Sequence, residues 1–143
     1  MVYAVIDTNV LVSALLSSSS FSNPFIILEA IYERKIVPLY NNEILSEYRN
    51  VLSRAKFHFS DKQINLVLKS IIEYGIKTEP ISNDIEEQRF PDPKDIVFYE
   101  VKMSIDDSYL ITGNIKHFPS EPLVVTPSQM VLILKEKGLI SNH

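Results

Sequence analysis

The feature that most constrains the fold is the alternation of short apolar runs with longer segments of helical periodicity. Short apolar runs rich in β-forming residues predict strands, and here they are Val2–Ile6, Ile36–Tyr40, Ile76–Glu79, Ser108–Thr112 and Leu123–Val125. Helices are predicted at Asn9–Leu16, Pro24–Arg34, Glu43–Arg54 and Ser60–Tyr74, and again from Asp92 and from Thr126. This order predicts an α/β fold, a three-layer α/β/α sandwich around a mainly parallel sheet.

Residues that typically begin or end helices support these predictions. Ser60 to Gln63 and Thr126 to Gln129 have the pattern of capping boxes, and Gly75 is placed to end a helix. The polar, acidic stretch Pro80–Pro91 predicts a loop.

Length and composition narrow the class of protein. A chain of 143 residues, 45% of them hydrophobic, suits one compact domain over residues 1–143. There is no cysteine, so disulfides and thiolate metal sites are excluded. No apolar run approaches the roughly 20 residues that span a membrane, and Met1–Val10 lacks a basic leader. We therefore expect a cytoplasmic protein without membrane contact.

The charge balance limits how a nucleic acid could be held. With 18 acidic and 14 basic residues the net charge is −4, which argues against sequence-independent binding by a broad basic surface. Carboxylates gathered at one site would be neutralised there by bound cations. A nucleic acid would then depend on metal and a local basic patch.

The carboxyl ends of parallel strands are where sites form, and polar residues follow the predicted strands. Asp7 comes directly after the first strand, although it could instead cap the next helix. Glu47 lies at the edge of an apolar helical stripe, where a solvated glutamate is the alternative. Asp95 would be the N3 residue of its helix, where compensation of the helix dipole is the alternative. Asp92 would cap that helix, with Pro93 at N1, although a role in metal binding is the alternative.

Two further polar residues lie at the carboxyl end of the predicted strand Ser108–Thr112. Asn114 offers a neutral oxygen that Mg²⁺ accepts, and Thr112 could orient a neighbouring carboxylate or a water molecule. Asp106 and Asp107 precede that strand at its opposite end and are expected to be turn residues.

Several kinds of site are excluded or poorly supported. The histidines, His58, His117 and His143, are isolated along the chain, so a zinc site or a histidine-based triad has little support. With three glycines and no glycine-rich phosphate loop, a P-loop or dinucleotide site is excluded. Oxygen ligands from separate segments remain, which suits Mg²⁺ or Mn²⁺ and phosphoryl chemistry.

Taken in order, four segments resemble the PIN-domain family: Ala4–Leu11 (AVIDTNVL), Glu43–Tyr48 (EILSEY), Asp92–Asp95 (DPKD) and Leu110–Asn114 (LITGN). The resemblance spans roughly residues 2–130. Within the family, the chain is similar to the VapC-like ribonucleases, which are the toxin components of toxin–antitoxin systems.

The resemblance implies a PIN-like nuclease domain that hydrolyses RNA with Mg²⁺ or Mn²⁺. The family's catalytic and metal-binding acids correspond to Asp7, Glu47 and Asp95. Its fourth acidic position corresponds to Asn114, a departure that would weaken metal binding and catalysis. An antitoxin partner and a homo-oligomer are also implied.

The remaining site residues have supporting roles in this interpretation. Arg49, Arg54 and Lys56 flank Glu47 and could hold the substrate backbone, or could form an ordinary solvated helix end. Thr8 and Asn9 are expected to fix the loop that carries Asp7.

Two other functions are compatible with the sequence. A phosphatase of the haloacid-dehalogenase type also begins with an aspartate after the first strand and uses a later threonine and lysine, here Thr112 and Lys116; however, Asn9 stands where such enzymes have a second aspartate. The other is a non-catalytic binding module with a degraded site, which Asn114 and the acidic net charge favour.

Overall fold

A computed structural model describes residues 1–79 and 89–141 of the chain. The predicted loop Pro80–Pro91 lies mostly outside these described residues.

The sheet is five-stranded and parallel throughout, with the order β3-β2-β1-β4-β5. Its strands are β1 (Val2–Ile6), β2 (Ile36–Tyr40), β3 (Ile76–Lys77), β4 (Tyr109–Ile111) and β5 (Val124–Val125). The central strand β1 is buried on both faces from Ala4 to Ile6, as parallel sheets covered by helices are. The prediction of an α/β/α sandwich with a parallel sheet is confirmed.

Six α-helices flank the sheet among the described residues: α1 (Thr8–Leu16), α2 (Asn23–Tyr32), α3 (Asn42–Leu52), α4 (Asp61–Tyr74), α5 (Ile96–Ser104) and α6 (Pro127–Glu136). Both predicted capping boxes are present, at Ser60 with Gln63 and at Thr126 with Gln129. The described part of the chain contains no helix with the length and apolar character that crossing a membrane requires.

Some predicted boundaries were wrong. Pro24 is the second residue of α2 rather than the first, because Ser22 accepts a hydrogen bond from the Phe25 N–H and so caps the helix one residue earlier. Arg54 lies beyond α3, which ends at Leu52. The outer strands are also shorter than predicted, with β3 reduced to Ile76 and Lys77 at the sheet edge.

The segment before α5 also differs from prediction. Residues Pro93–Asp95 form a 3-10 helix, and α5 begins only at Ile96. Asp92 caps the 3-10 turn by accepting a hydrogen bond from the Lys94 N–H at 3.0 Å. Asp95 therefore stands at the N-cap of α5, not at its N3 position, and its side chain makes no capping hydrogen bond.

The strand order creates a crevice at the carboxyl end of the sheet. From β1 the chain continues to β2 and β3 on one side, and then returns to place β4 and β5 on the other side. The connections leaving β1 and β4 therefore diverge, which makes their carboxyl ends a topological switch point. Asp7 and Thr112 follow these two strands.

Candidate active site

Asp7 is held at the switch point by the neighbouring strand. Its backbone N–H donates to the Ile111 carbonyl at 2.9 Å, which extends the pairing of β1 with β4 by one residue. Its side-chain Oδ2 accepts a hydrogen bond of 2.7 Å from the Thr112 hydroxyl. The residue is 6% exposed, so this carboxylate is buried and fixed in orientation.

Thr112 connects Asp7 to the turn that follows β4. Its Oγ1 donates to Asp7 and accepts the Asn114 N–H at 3.0 Å, while its own N–H donates to the Val125 carbonyl at 2.9 Å. Thr112 is fully buried. Its hydroxyl makes the contact that the sequence predicted for an orienting residue.

Glu47 reaches the same crevice from α3. Asn41 caps this helix by accepting a hydrogen bond from the Ile44 N–H at 2.8 Å. The fully buried Tyr48 donates its hydroxyl to the carbonyl of Ile6, the last residue of β1. Because Tyr48 adjoins Glu47 in sequence, this contact fixes the distance of Glu47 from the end of β1.

One small cavity of about 180 Å³ brings these segments together. Its lining residues are Asp7, Thr8, Asn9, Glu47, Val51, Arg54, Asp92, Lys94, Asp95 and Phe98. Asp7, Glu47 and Asp95 thus share a cavity at the carboxyl edge of the sheet. Their side chains are not yet close enough to share a metal ion. Within residues 1–79 and 89–141, no group of three Asp, Glu or His side chains is arranged to hold one.

The cavity disfavours negative charge in its present arrangement. Burial raises the pKa of Asp7, although hydrogen bonds from Thr112 and from the Thr8 and Asn9 backbone act against the shift. Burial, then the charges of Asp7 and Asp92, raise the pKa of Asp95 to about 6. Each of these carboxylates would regain its charge beside a cation, since an opposite charge stabilises the ionised form.

Two buried oxygen atoms at the cavity have no hydrogen-bond partner among the described residues. They are Oγ1 of Thr8, which is 5% exposed, and Oδ2 of Asp95. A buried polar atom without a partner costs free energy, and such atoms in native structures call for a ligand, water or ion. The unpartnered Thr8 oxygen and the carboxylates of the cavity form a donor set of hard oxygens, which fits a divalent cation of the Mg²⁺ or Mn²⁺ kind.

The basic residues near Glu47 only partly occupy their predicted places. Arg54 lines the cavity, whereas Arg49 donates to Asn65 at 3.2 Å and the Lys56 ammonium lies 5.1 Å from the centre of the Phe57 ring. Lys94 lines the cavity and was not predicted. The only signal for it was its position between Asp92 and Asp95.

Asn9, Asn114 and His117 differ in how they relate to the cavity. Asn9 lines the cavity, but Asn114 is not among its described lining residues, and the Asn114 side chain is exposed. The expectation that Asn114 supplies a ligand therefore has no geometric support. His117 was not predicted to belong to the site, but its Nδ1 lies 3.4 Å from Oδ2 of Asp95. The two residues are distant in sequence, so no local pattern could have indicated this pair.

The family model of the PIN domain matches residues 3–116 of the chain. This match includes all four of the carboxylate residues that line the cavity. Neither the curated proteins nor the solved structures gave a match.

Proposed function

Because the chain belongs to the PIN-domain family, whose members are generally nucleases, we propose that it is a metal-dependent endoribonuclease. The observation that carries the proposal is the shared cavity of Asp7, Glu47 and Asp95 at the switch point of the sheet. These acids come from three different elements, and nothing in the packing of the core requires three buried or half-buried carboxylates to face one cavity.

Asp7 and Asp95 would hold Mg²⁺ or Mn²⁺, and Glu47 would either ligate the cation or position the attacking water. When bound, the cation would lower the pKa of that water and stabilise negative charge on the phosphate oxygens.

The other cavity residues would prepare this site. Thr112 holds Asp7 in one orientation, so that the carboxylate needs little rearrangement to accept a cation. Arg54 and Lys94 stand on the cavity wall and would bind the phosphodiester backbone. The unpartnered Thr8 hydroxyl could donate to a phosphate oxygen or a bound water.

RNA as the substrate, and a role as the toxin of a toxin–antitoxin pair, follow from the resemblance of the four sequence segments. The antitoxin partner, a homo-oligomer and the cytoplasmic location stay predictions. The match to PIN domains argues against the phosphatase alternative. A binding module with a weakened site is the second candidate, favoured by the separation of the carboxylates.

A cleavage assay separates the two candidates. Purified protein is incubated with single-stranded RNA and with a DNA of the same sequence, with Mn²⁺, with Mg²⁺ or with EDTA. We expect RNA cleavage that needs the metal and that falls at least 100-fold in Asp7→Asn. The matched control is Asp106→Asn, since Asp106 is an exposed turn residue at the other end of β4. Metal binding without cleavage would favour the binding module.

The toxin role needs its own test in cells. Induced expression of the wild-type chain should arrest growth, whereas Asp7→Asn and Asp95→Asn should not. If all forms arrest growth equally, the toxicity does not depend on the proposed nuclease site.

A further inference from the structure

His117 is presented to Asp95 by a short, well-anchored turn. It ends the 3-10 helix Ile115–His117 that follows β4, and its N–H donates to the Asn114 carbonyl at 2.9 Å. The next residue, Phe118, is buried and packs edge-on against Phe90. The backbone that carries the imidazole is thus fixed on both sides.

The contact between His117 and Asp95 is close but incomplete. Nδ1 of His117 lies 3.4 Å from Oδ2 of Asp95, and that oxygen is buried without a hydrogen-bond partner in the described chain. A charge-assisted N–H···O hydrogen bond is about 2.7–2.9 Å long, so a shift of roughly half an ångström would form one. Hydrogen bonds at catalytic sites are often long before the ligand binds.

The two carboxylate oxygens of Asp95 are placed differently. Oδ2 is enclosed beside His117, whereas Asp95 as a residue lines the cavity. His117 is not among the described residues that line this cavity. A hydrogen bond from the imidazole could therefore act on a ligand in the cavity only through Asp95.

We propose that His117 is a positioning residue, which donates from Nδ1 to Oδ2 of Asp95 and so leaves Oδ1 available to hold a cation when one binds in the cavity. Carboxylates that ligate metals are commonly held by such hydrogen bonds, and removing the partner typically costs 10–100-fold in metal affinity. The inference rests on the proposed function, and it assigns a role to a residue outside the family's acidic positions.

Calorimetric titration with Mn²⁺ tests the inference in the intact protein. His117→Ala should weaken Mn²⁺ binding by about 10–100-fold. His117→Asn should restore most of the affinity, because its side-chain amide can donate from nearly the position of Nδ1. His58→Ala is the matched control, since His58 is exposed and is not among the described residues of the cavity. Metal-free melting curves would show that each variant is folded.

A second readout needs no metal. Nitrogen-15 NMR of the metal-free protein, recorded where the His117 ring carries a single proton, should find that proton on Nδ1. A ring protonated on Nε2 instead would overturn the proposal, because Nδ1 could not then donate to Asp95.

The remaining outcomes separate this inference from the proposed function. If the wild-type protein binds Mn²⁺ and His117→Ala binds it equally well, only the positioning role fails. If the wild-type protein binds no Mn²⁺, both proposals fail. If paramagnetic resonance of bound Mn²⁺ shows a nitrogen coupling that disappears in His117→Ala, His117 is a direct ligand and the positioning role is overturned.

Discussion

At the scale of single residues, the hydroxyl of Thr112 serves two partners at once. It donates to Asp7 and accepts from the Asn114 N–H, and all of this happens in a fully buried position. The buried Asp7 carboxylate cannot turn to bulk water if the hydroxyl is removed. This explains why a neutral residue is as important for the site's geometry as the acids.

Thr112→Val replaces this hydroxyl by a methyl group of similar size. We expect the free energy of unfolding to fall by about 1–3 kcal/mol, because a buried acceptor and a donor lose their partner. Thr112→Ser should lose much less, since it keeps the hydroxyl. Urea denaturation of the three proteins measures the difference, and wild-type stability in Thr112→Val would contradict the described contacts.

Asp95 leads to a prediction about pH. Its pKa is raised from 3.8 to about 6 in the folded protein, mainly by burial. A raised carboxyl pKa favours the protonated form in the fold, so its contribution to stability is complete below about pH 4 and is lost as pH rises through 6. The loss should be on the order of 1 kcal/mol, since solvent screens a partly exposed group.

The measurement compares wild type with Asp95→Asn by urea denaturation at several pH values in EDTA. The wild type should lose stability relative to the variant between about pH 4 and pH 6. A constant difference across this range would contradict the raised pKa. Mn²⁺ should remove the effect in the wild type, because a cation stabilises the ionised form.

At the scale of elements, the site depends on how closely α4, β2 and α3 can approach the central strand. Tyr48 ties α3 to the end of β1 through its hydroxyl. The neighbouring helix α4 ends at Tyr74, and Gly75 then leads the chain directly into β3 beside β2. Gly75 has a φ of −97°, so a left-handed conformation is not what requires glycine here.

The requirement at Gly75 is space, which makes a sharp prediction. A Cβ atom there would lie 2.4 Å from the carbonyl oxygens of both Ile71 and Pro38. Gly75→Ala should therefore destabilise the protein by about 1–3 kcal/mol, as overpacking does. Gly113→Ala is the matched control, because nothing lies within 4 Å of its Cβ position. Thermal melting of both variants decides the matter, and equal melting temperatures would contradict the close approach.

At the scale of the whole molecule, the parallel strand order brings acids from distant parts of the chain to one edge of the sheet. Asp7 follows β1, Glu47 lies on α3 and Asp95 precedes α5. The assembled cavity concentrates negative charge, while Arg54 and Lys94 are the basic residues on its described wall. Folding therefore creates a local surplus of negative charge that a cation would relieve.

Mn²⁺ should accordingly raise the melting temperature, because it would bind only the folded protein. At a concentration about 100 times its Kd, the gain is about 2.7 kcal/mol. Asp7→Asn should reduce this gain and should raise the metal-free melting temperature, since it removes a buried carboxylate. Differential scanning calorimetry with NaCl of matched ionic strength as control tests this. A melting temperature that does not respond to Mn²⁺ would exclude the metal site.

The sequence alone determined the elements and most of the candidate acids. Strand periodicity, capping boxes and the glycine after α4 are local signals, so they could be recognised from the sequence alone. Asp7 was selected by the rule that parallel strands carry sites at their carboxyl ends. Glu47 was selected at the edge of a helical stripe, and Asp95 at the start of a helix. Element boundaries were less accurate, because the competition between a 3-10 turn and an α-helix at Pro93–Asp95 depends on tertiary packing.

Only the tertiary structure decided which side chains meet. Thr112 and Asp7 are separated by 105 positions in sequence, and no local pattern pairs them. The same holds for His117, which lies beside Asp95 although the two residues are distant in sequence. Arg49 and Lys56 face partners other than the cavity for the same reason. A side chain's contacts depend on the relative positions of whole elements, and those positions are set by burial of the common core rather than by neighbouring residues.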